Sequence, residues 1–311
     1  MALCLWFDLV DSLGMSMDLK QQTRLCLDGL SVGDGFGQRF FFPWIAEQTV
    51  NRTLPEGPWH YTDDTEMAIA IVQVLESEDH IDQDLLARKF AKRYAADPGR
   101  GYGAGAHELL KRICAGDDWR TASRELFNGS GSFGNGGAMR VPPLGVWFAD
   151  DIEKLKEQAR LSAEVTHSHL EGQEGTVAVA LAAAWAVNND PKDAADMLPW
   201  IVEHLDESTA VCVGIKAAME FNLDAWPFDV ANKIGCGDNV TAQDTVPFCL
   251  WMSAANLGDF EEAMWTTARV GGDIDRHARL LAALLPRLEP NRFLSNGCLD
   301  VNRWAGDSRT R

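Results

Sequence analysis

The segment EGTVAVALAAAWAV, residues 174–187, is apolar on nearly every face when it is wound into a helix. Over about four helical turns it offers no polar stripe that could face water. Its many alanines favour the helix and keep its surface narrow, so neighbouring helices can approach it closely. The segment therefore predicts a central helix that is covered on all sides by other helices.

The rest of the chain is also dominated by helical periodicity. Seven further segments place apolar residues at i, i+3, i+4 spacing; they are residues 64–77, 82–97, 105–116, 152–166, 194–207, 245–258 and 260–272. Several begin at Asp, Ser or Thr and end near Gly or Asn, as capped helices do. No run of alternating polar and apolar residues predicts a strand. We therefore predict an all-α fold in a single domain without internal repeats.

Charge and cysteine usage exclude several classes of protein. A formal net charge of −18 opposes binding to the phosphates of a nucleic acid. The apolar start, MALCLWFDLVDSLG, lacks the basic region and cleavage site of a signal peptide, and no apolar run is long enough to span a bilayer. The widely spaced cysteines are typical of free thiols in a reducing compartment; they are Cys4, Cys26, Cys114, Cys212, Cys236, Cys249 and Cys298. We expect a cytoplasmic monomer that contacts no membrane.

Two acidic loops are candidate ligand sets for a divalent cation. In YTDDT, residues 61–65, Thr62, Asp63 and Asp64 concentrate oxygen atoms at the start of a predicted helix. In GGDID, residues 271–275, two aspartates follow two glycines. Each loop alone is more typical of a helix N-cap, where the helix dipole favours an acidic residue. Together they supply four carboxylates, which favours a site for two ions of Mg²⁺ or Mn²⁺.

Two further loops interrupt helical segments. In SFGNGGAMRVPPLG, residues 132–145, backbone N–H groups and the amide of Asn135 can hold a diphosphate or a ribose, although an ordinary irregular loop is the simpler interpretation of this stretch alone. In SAEVTHSHLEGQEG, residues 162–175, His167 is the better functional candidate. We interpret His169 as a hydrogen-bonded residue at a helix break, because two histidines two positions apart diverge by about 200° on a helix.

These stretches resemble, in order, the motifs of the ADP-ribosylglycohydrolases, which include dinitrogenase-reductase-activating glycohydrolases and ADP-ribosylarginine hydrolases. The motifs are GDGFG (33–37), YTDDT (61–65), GNGGAMR (134–140), THSHLEG (166–172), QDTVPFCLW (243–251) and GGDID (271–275). The resemblance implies an all-α domain over residues 19–275, in which GDGFG is a glycine loop and a cleft holds two Mg²⁺ or Mn²⁺ ions. It implies hydrolysis of the glycosidic bond between ADP-ribose and a protein side chain or a small acceptor. The partner is then an ADP-ribosylated protein or a small ADP-ribose conjugate.

The resemblance also implies roles for individual residues. The metal ligands are Thr62, Asp63, Asp64, Asp273 and Asp275. The residues at the substrate are Asp34, Gly134, Asn135, Gly136, Gly137, Met139 and His167. The ions would bind ribose hydroxyls and orient a water, with Asp63 or Asp64 as general base. The glutamate that some serine-specific relatives carry after the first glycine motif is absent from QRFFFPW, residues 38–44, which favours a mechanism that relies on metal and aspartate.

Arg276 departs from the family's pattern immediately after GGDID. Members usually place a threonine ligand there, whereas an arginine cannot ligate a cation and repels it. Residues 276–311 contain seven arginines and no lysine, with little helical pattern after Pro286. We hypothesise that this atypical tail is frameshifted, because a one-base shift after the Asp275 codon can restore a threonine and a small-residue helix. A divergent natural C-terminus is the alternative, and an intact frame in the sequenced gene would establish it.

Arg276 also keeps a second class of function open. With an arginine at this position we expect weak occupancy of the second metal site and reduced activity. The chain would then be a catalytically impaired member that binds ADP-ribose or has a structural role, whereas the intact YTDDT and GGDID loops favour an active hydrolase. A helical phosphohydrolase is disfavoured, because the sequence lacks the histidine–aspartate pair of that class.

Overall fold

The computed structural model describes residues 17–40, 46–270 and 283. Within these ranges the regular structure is helical, and a single isolated antiparallel bridge joins Gly134 to Thr241. The helices are α1 (Leu19–Phe40), α2 (Ala46–Asn51), α3 (Asp63–Glu78), α4 (Gln83–Ala96), α5 (Ala104–Cys114), α6 (Trp119–Gly129), α7 (Gly136–Arg140), α8 (Pro142–Trp147), α9 (Ile152–Glu164), α10 (Leu170–Asn188), α11 (Met197–Glu203), α12 (Ala210–Ala218), α13 (Pro227–Ile234), α14 (Ala242–Ala255) and α15 (Phe260–Val270). A 3₁₀-helix, Pro191–Asp196, precedes α11. The predicted all-α fold is confirmed.

The central helix that the apolar segment predicts is α10. Its residues 174–185 are all buried, and it contacts α7, α8, α9, α11, α12 and α14. The helix begins one turn before the predicted start, because His169 caps it there with Nδ1 accepting the Glu171 N–H at 3.1 Å. Both the central helix and the structural role of His169 are therefore confirmed.

The motif GDGFG lies inside α1, so the expectation of a loop at residues 33–37 is wrong. A glycine inside a helix is disfavoured by about 1 kcal/mol relative to alanine. The whole motif is buried, however, and α1 packs against α3 and α8, so tertiary contacts outweigh the local preference. The helix thereby places Asp34 on a buried face that is directed at the start of α3.

Two expectations from composition can be compared with the described residues. The five described cysteines are free thiols, and Cys26, Cys212 and Cys249 are buried while Cys114 is exposed. Among the helices that the structure describes, none is both long enough and apolar enough to cross a membrane.

Gly145 in α8 lets the backbones of two helices touch. A Cβ atom at this position would lie 2.9 Å from Ala180 Cα and closer still to the Ala180 carbonyl oxygen of α10. Backbone atoms of a central helix cannot move aside cheaply. We expect Gly145→Ala to lower the free energy of unfolding by about 3 kcal/mol or more, as measured by denaturant titration.

Gly103 provides the matched control for this substitution. A Cβ atom there would meet no heavy atom within 4 Å, and its φ of −65° suits alanine. Gly103→Ala should change the free energy of unfolding by less than about 1 kcal/mol. Equal effects of the two substitutions would contradict the close approach of α8 to α10.

Candidate functional site

A cavity of about 290 Å³ opens beside the start of α3 and beside residues 132–136, which we call the glycine turn. The loops that precede α10 and α14, the start of α5 and the end of α6 form the other walls. It brings together six of the residues that the sequence assigns to the site: Asp63, Asp64, Gly134, Asn135, Gly136 and His167. Two motifs separated by about 70 residues of chain thus share one cavity with a histidine from a third.

The other assigned residues lie elsewhere. Asp34, Gly137 and Met139 are buried and do not line this cavity. Thr62 lines a neighbouring depression beside Tyr61 and Gly101. Asp273 and Asp275 lie outside the described residues, as does Arg276.

The start of α3 differs from an ordinary capped helix. Thr62 is its N-cap residue, but the side chain makes no capping hydrogen bond. The N-cap aspartates of α4, α6 and α9, which are Asp82, Asp118 and Asp151, each accept a backbone N–H of their own helix. The plain N-cap interpretation of YTDDT therefore does not account for the Thr62 side chain.

Asp34 holds the start of α3 in place. Its Oδ2 accepts the Thr62 N–H at 2.8 Å, the Thr62 hydroxyl at 3.3 Å and the Thr65 hydroxyl at 2.5 Å. The carboxylate is fully buried, where charge-assisted hydrogen bonds are strong. Because the Thr62 hydroxyl gives its hydrogen to Asp34, its lone pairs remain available to a cation. Asp34 thus positions residues 61–65, which we call the ligand loop after the role that the sequence predicts for it.

The glycine turn is fixed to the start of α14. The Phe133 carbonyl accepts the Ala242 N–H at 2.9 Å, and the Asn135 N–H donates to the Val240 carbonyl at 3.3 Å. The Asn135 side-chain amide donates to Thr245 Oγ1 at 2.8 Å. The turn is therefore a rigid wall of the cavity rather than a free loop.

Gly137 is needed where this turn meets the central helix. A Cβ atom there would lie 2.5 Å from Thr176 Oγ1 of α10 and 3.6 Å from His167 Nδ1. Any larger residue would push the turn away from the histidine and widen the cavity.

Arg140, which the sequence analysis did not assign to the site, reaches His167 through a hydroxyl. Its Nη2 donates to Thr166 Oγ1 at 2.6 Å, and that oxygen lies 2.7 Å from His167 Nδ1. The guanidinium is buried over the Phe90 ring, 4.8 Å from its centroid. Thr166 Oγ1 accepts from Arg140, and it lies 2.7 Å from His167 Nδ1 but 3.4 Å from the Ala163 carbonyl oxygen, so its own hydrogen is best placed on Nδ1. We infer that His167 carries its proton on Nε2, which is directed at the glycine turn.

Two aromatic rings form the rim of the cavity. Phe127 is 53% exposed, and its ring centroid lies 6.3 Å from that of Phe133. Phe127, Asn128 and Val240 have positive φ values of 55°, 60° and 58°, which are unusual for residues with a side chain and most of all for a β-branched valine. Such backbone strain concentrates at functional sites.

Comparison with known proteins decides the family. The family model described as ADP-ribosylglycohydrolase matches residues 15–286. The chain belongs to the ADP-ribosylglycohydrolase family. It is 34% identical over 253 residues to ADP-ribosylhydrolase ARH3 of Bos taurus, covering 72% of this chain and 69% of that protein. It is 29% identical over 258 residues to ADP-ribosylhydrolase ARH3 of Homo sapiens, with the same coverage of both chains.

A solved structure shows the same fold. The chain is similar to one named ADP-ribosylglycohydrolase-related protein complex, with a TM-score of 0.65 and 23% sequence identity. The match covers 93% of this chain and 96% of that chain. At this identity the likeness supports the fold of the ADP-ribosylglycohydrolase family and nothing finer.

The described part of the site offers some of the ligands that a hard divalent cation needs. Within the described ranges no group of three or more His, Cys, Asp or Glu side chains is placed to hold a metal. Thr62, Asp63 and Asp64 nevertheless follow one another at the start of α3, and their hydroxyl and carboxylate oxygens are the donors that Mg²⁺ and Mn²⁺ prefer. The ligand atoms of Thr62, Asp63 and Asp64 are thus of the type expected for one half of the metal site. The other half, Asp273 and Asp275, falls outside the described residues.

His167 of this ADP-ribosylglycohydrolase is expected to stay neutral far into the acid range. Burial of its ring, together with the charge of Arg140, lowers the pKa of His167 from 6.5 to about 3. Burial also lowers the pKa of Arg140 to about 9, against the opposite effect of Asp63, so Arg140 stays charged at neutral pH. A histidine-selective ¹⁵N NMR titration should therefore show His167 as the Nε2–H tautomer from pH 7 to about 4.

The same shift makes stability depend on pH. Below pH 6.5 the unfolded chain takes up a proton at this histidine that the native state does not, so the free energy of unfolding falls as the pH drops from 6.5 towards 3. His167→Gln should reduce that loss. A native His167 that titrates near pH 6.5 would contradict the hydrogen-bonded relay through Thr166 to Arg140.

Proposed function

We propose that the protein is a metal-dependent hydrolase that cleaves the glycosidic bond between ADP-ribose and a protein side chain or a small acceptor. One observation carries this proposal: a single cavity is lined by the carboxylates of Asp63 and Asp64 and by the glycine turn with His167. The first pair offers base chemistry, and the second group offers hydrogen-bond donors to an anionic, hydroxyl-rich ligand. Membership of the ADP-ribosylglycohydrolase family supports the same substrate class.

The acidic end of the cavity would perform the hydrolysis. Asp63 or Asp64 accepts the proton of the attacking water, since both line the cavity from the first turn of α3. The remaining carboxylate stabilises the positive charge that develops on the ribose in an oxocarbenium-like transition state. Asp34 keeps both side chains in register through its hydrogen bonds to Thr62 and Thr65.

Thr62, Asp63 and Asp64 would hold the metal together with Asp273 and Asp275. When bound, Mg²⁺ or Mn²⁺ would supply Lewis acidity to the water and the ribose hydroxyls. The charge of Arg140 interacts with that of Asp63 and so limits the net negative charge of the site.

The opposite end of the cavity would bind the nucleotide part. The backbone N–H of Gly136 and the Nε2–H of His167 can donate to phosphate or ribose oxygens, whereas the Gly134 N–H donates to Ser132 Oγ. Phe127 and Phe133 offer aromatic faces at the rim, and stacking of a base on such a face contributes about 1–3 kcal/mol. The positive φ values of Phe127 and Val240 would place the side chains of these two residues at the rim.

Release of ADP-ribose from defined conjugates tests the proposed function. The full chain with Mn²⁺ would be incubated with arginine-linked, serine-linked and O-acetyl-linked ADP-ribose, and free ADP-ribose would be quantified by chromatography. Release from one linkage supports the proposal and identifies the acceptor. Failure with all three would refute hydrolysis of these classes.

Arg276 supports a second candidate function, a catalytically impaired member that binds ADP-ribose. It stands where the family usually has a threonine ligand, and an arginine cannot ligate a cation. Isothermal titration separates the two candidates. The impaired form binds ADP-ribose without hydrolysis and shows a single tight Mn²⁺ site, whereas two tight Mn²⁺ sites would contradict it.

A further inference from the structure

A second cavity, of about 380 Å³, lies between α3, α4 and the loop at residues 97–100. We define the basic groove as the part of it formed by six charged side chains: Lys89, Lys92, Arg93, Arg100, Glu66 and Asp97. Four of these are basic and two are acidic, on a chain whose formal net charge is −18. A concave surface of reversed sign focuses an attractive potential for anions.

The basic side chains of α4 share one face. Lys89, Lys92 and Arg93 stand at i, i+3 and i+4, so they project to the same side of the helix. Arg93 forms an ion pair with Glu66 of α3, and both side chains are mostly buried. Lys92 is exposed at the rim, and no acidic side chain in the described ranges lies within salt-bridge distance of it. The ion pair with Arg93 thus neutralises Glu66, one of the two acidic groups of the groove.

Arg100 forms the floor of the basic groove. Its Nη1 donates to the Tyr61 carbonyl at 3.0 Å, its Nε donates to Asp97 Oδ2 at 3.0 Å, and its guanidinium stacks on the Tyr61 ring. The side chain is 9% exposed, whereas that of Asp97 is 54% exposed. A guanidinium held in one orientation loses little entropy when it binds an oxyanion. An incoming phosphate would compete with the exposed Asp97 and with Glu66, whose Oε1 lies 3.9 Å from Arg100 Nε and which also pairs with Arg93.

We propose that the basic groove binds a diphosphate group, with its oxygens against Lys89, Lys92 and Arg100. Lys89 and Lys92 stand one helical turn apart, about 5–6 Å between Cβ atoms, which suits two adjacent phosphates. The volume of the groove accommodates such a compact anion. This site goes beyond the proposed function, because its charged residues do not line the cavity that holds Asp63 and Asp64.

The basic groove is nevertheless joined to the ligand loop. The Arg100 carbonyl accepts the Asp63 N–H at 2.8 Å, while its guanidinium binds the Tyr61 carbonyl. Arg100 thus contacts the residues on both sides of Thr62. An anion in the groove and a ligand in the cavity would act on the same short stretch of chain.

Binding of inorganic pyrophosphate to the full chain, at low ionic strength and without added divalent metal, tests the proposal by isothermal titration. We expect saturable binding at millimolar concentration or below. The double substitution Lys89→Glu and Lys92→Glu should weaken it by about tenfold or more. The matched control, Lys192→Glu with Lys216→Glu, changes the net charge equally at lysines outside the groove and should leave affinity within about twofold.

Three results would overturn the proposal. They are no binding by the wild-type chain, equal weakening by the two double substitutions, and loss of binding in His167→Ala with retention in the groove variant. The last result would place pyrophosphate in the cavity instead. The assay uses neither metal nor an ADP-ribose conjugate. A failure to bind pyrophosphate therefore does not contradict the proposed hydrolysis, and an absence of hydrolysis does not contradict anion binding in the groove.

Discussion

Asp63→Asn or Asp64→Asn is expected to lower the rate of ADP-ribose release by about 10³-fold. Each substitution removes a carboxylate that lines the cavity and is proposed both to ligate the metal and to accept a proton. Loss of a general base alone lowers rates by about 10²–10⁴-fold. The measurement is kcat/KM for the linkage that the wild-type chain cleaves, at saturating Mn²⁺. Asparagine keeps the shape of the side chain, so the fold should persist.

Asp151→Asn provides the matched control for these substitutions. Asp151 caps α9 and accepts the Lys154 N–H at 3.1 Å, a role that asparagine performs equally well. Its kcat/KM should equal that of the wild-type chain. If the Asp63 and Asp64 variants retain wild-type activity, YTDDT has no catalytic role and only begins a helix.

Asp34→Ala is expected to have the second-largest effect, although Asp34 does not line the cavity. Its removal leaves the Thr62 N–H and the hydroxyls of Thr62 and Thr65 without their buried acceptor. We expect the free energy of unfolding to fall by about 3 kcal/mol. A displacement of the ligand loop by about 1 Å should also lower kcat/KM by about 10²-fold.

Asp34→Asn distinguishes a positioning role from a simple loss of packing. An asparagine keeps one acceptor oxygen but carries no charge, so both the stability and the kcat/KM of this variant should lie between those of Asp34→Ala and wild type. Denaturant titration and steady-state kinetics give the two readouts. An Asp34→Ala chain with wild-type stability and activity would contradict the positioning role.

The helices that the sequence predicts most firmly are those whose composition leaves no alternative. The stretch 174–187 has no polar face, so its burial on all sides can be predicted from the amino-acid sequence alone. The motif GDGFG was misassigned because glycines favour loops locally. Its helical state depends on contacts of α1 with α3 and α8 that no local pattern reveals.

The site was predictable where chemistry depends on residue type and unpredictable where it depends on placement. Oxygen-rich and glycine-rich motifs point to ligand binding whatever their surroundings, as YTDDT and GNGG do. Arg140 was missed because an arginine is ordinarily exposed. Its position inside the apolar stretch AMRVPPLG was the available signal. Phe127 and Val240 reach the rim through positive φ values that their residue types do not favour.

The most direct test of the central claim is metal-dependent release of ADP-ribose by the wild-type chain. ADP-ribosylated protein would be incubated with the chain in Mn²⁺ and, in parallel, after chelation of divalent ions, with free ADP-ribose quantified by mass spectrometry. We expect release with Mn²⁺, loss of release after chelation and recovery when Mn²⁺ is restored. Release that is unaffected by chelation, or no release in Mn²⁺ from any linkage, would contradict the central claim.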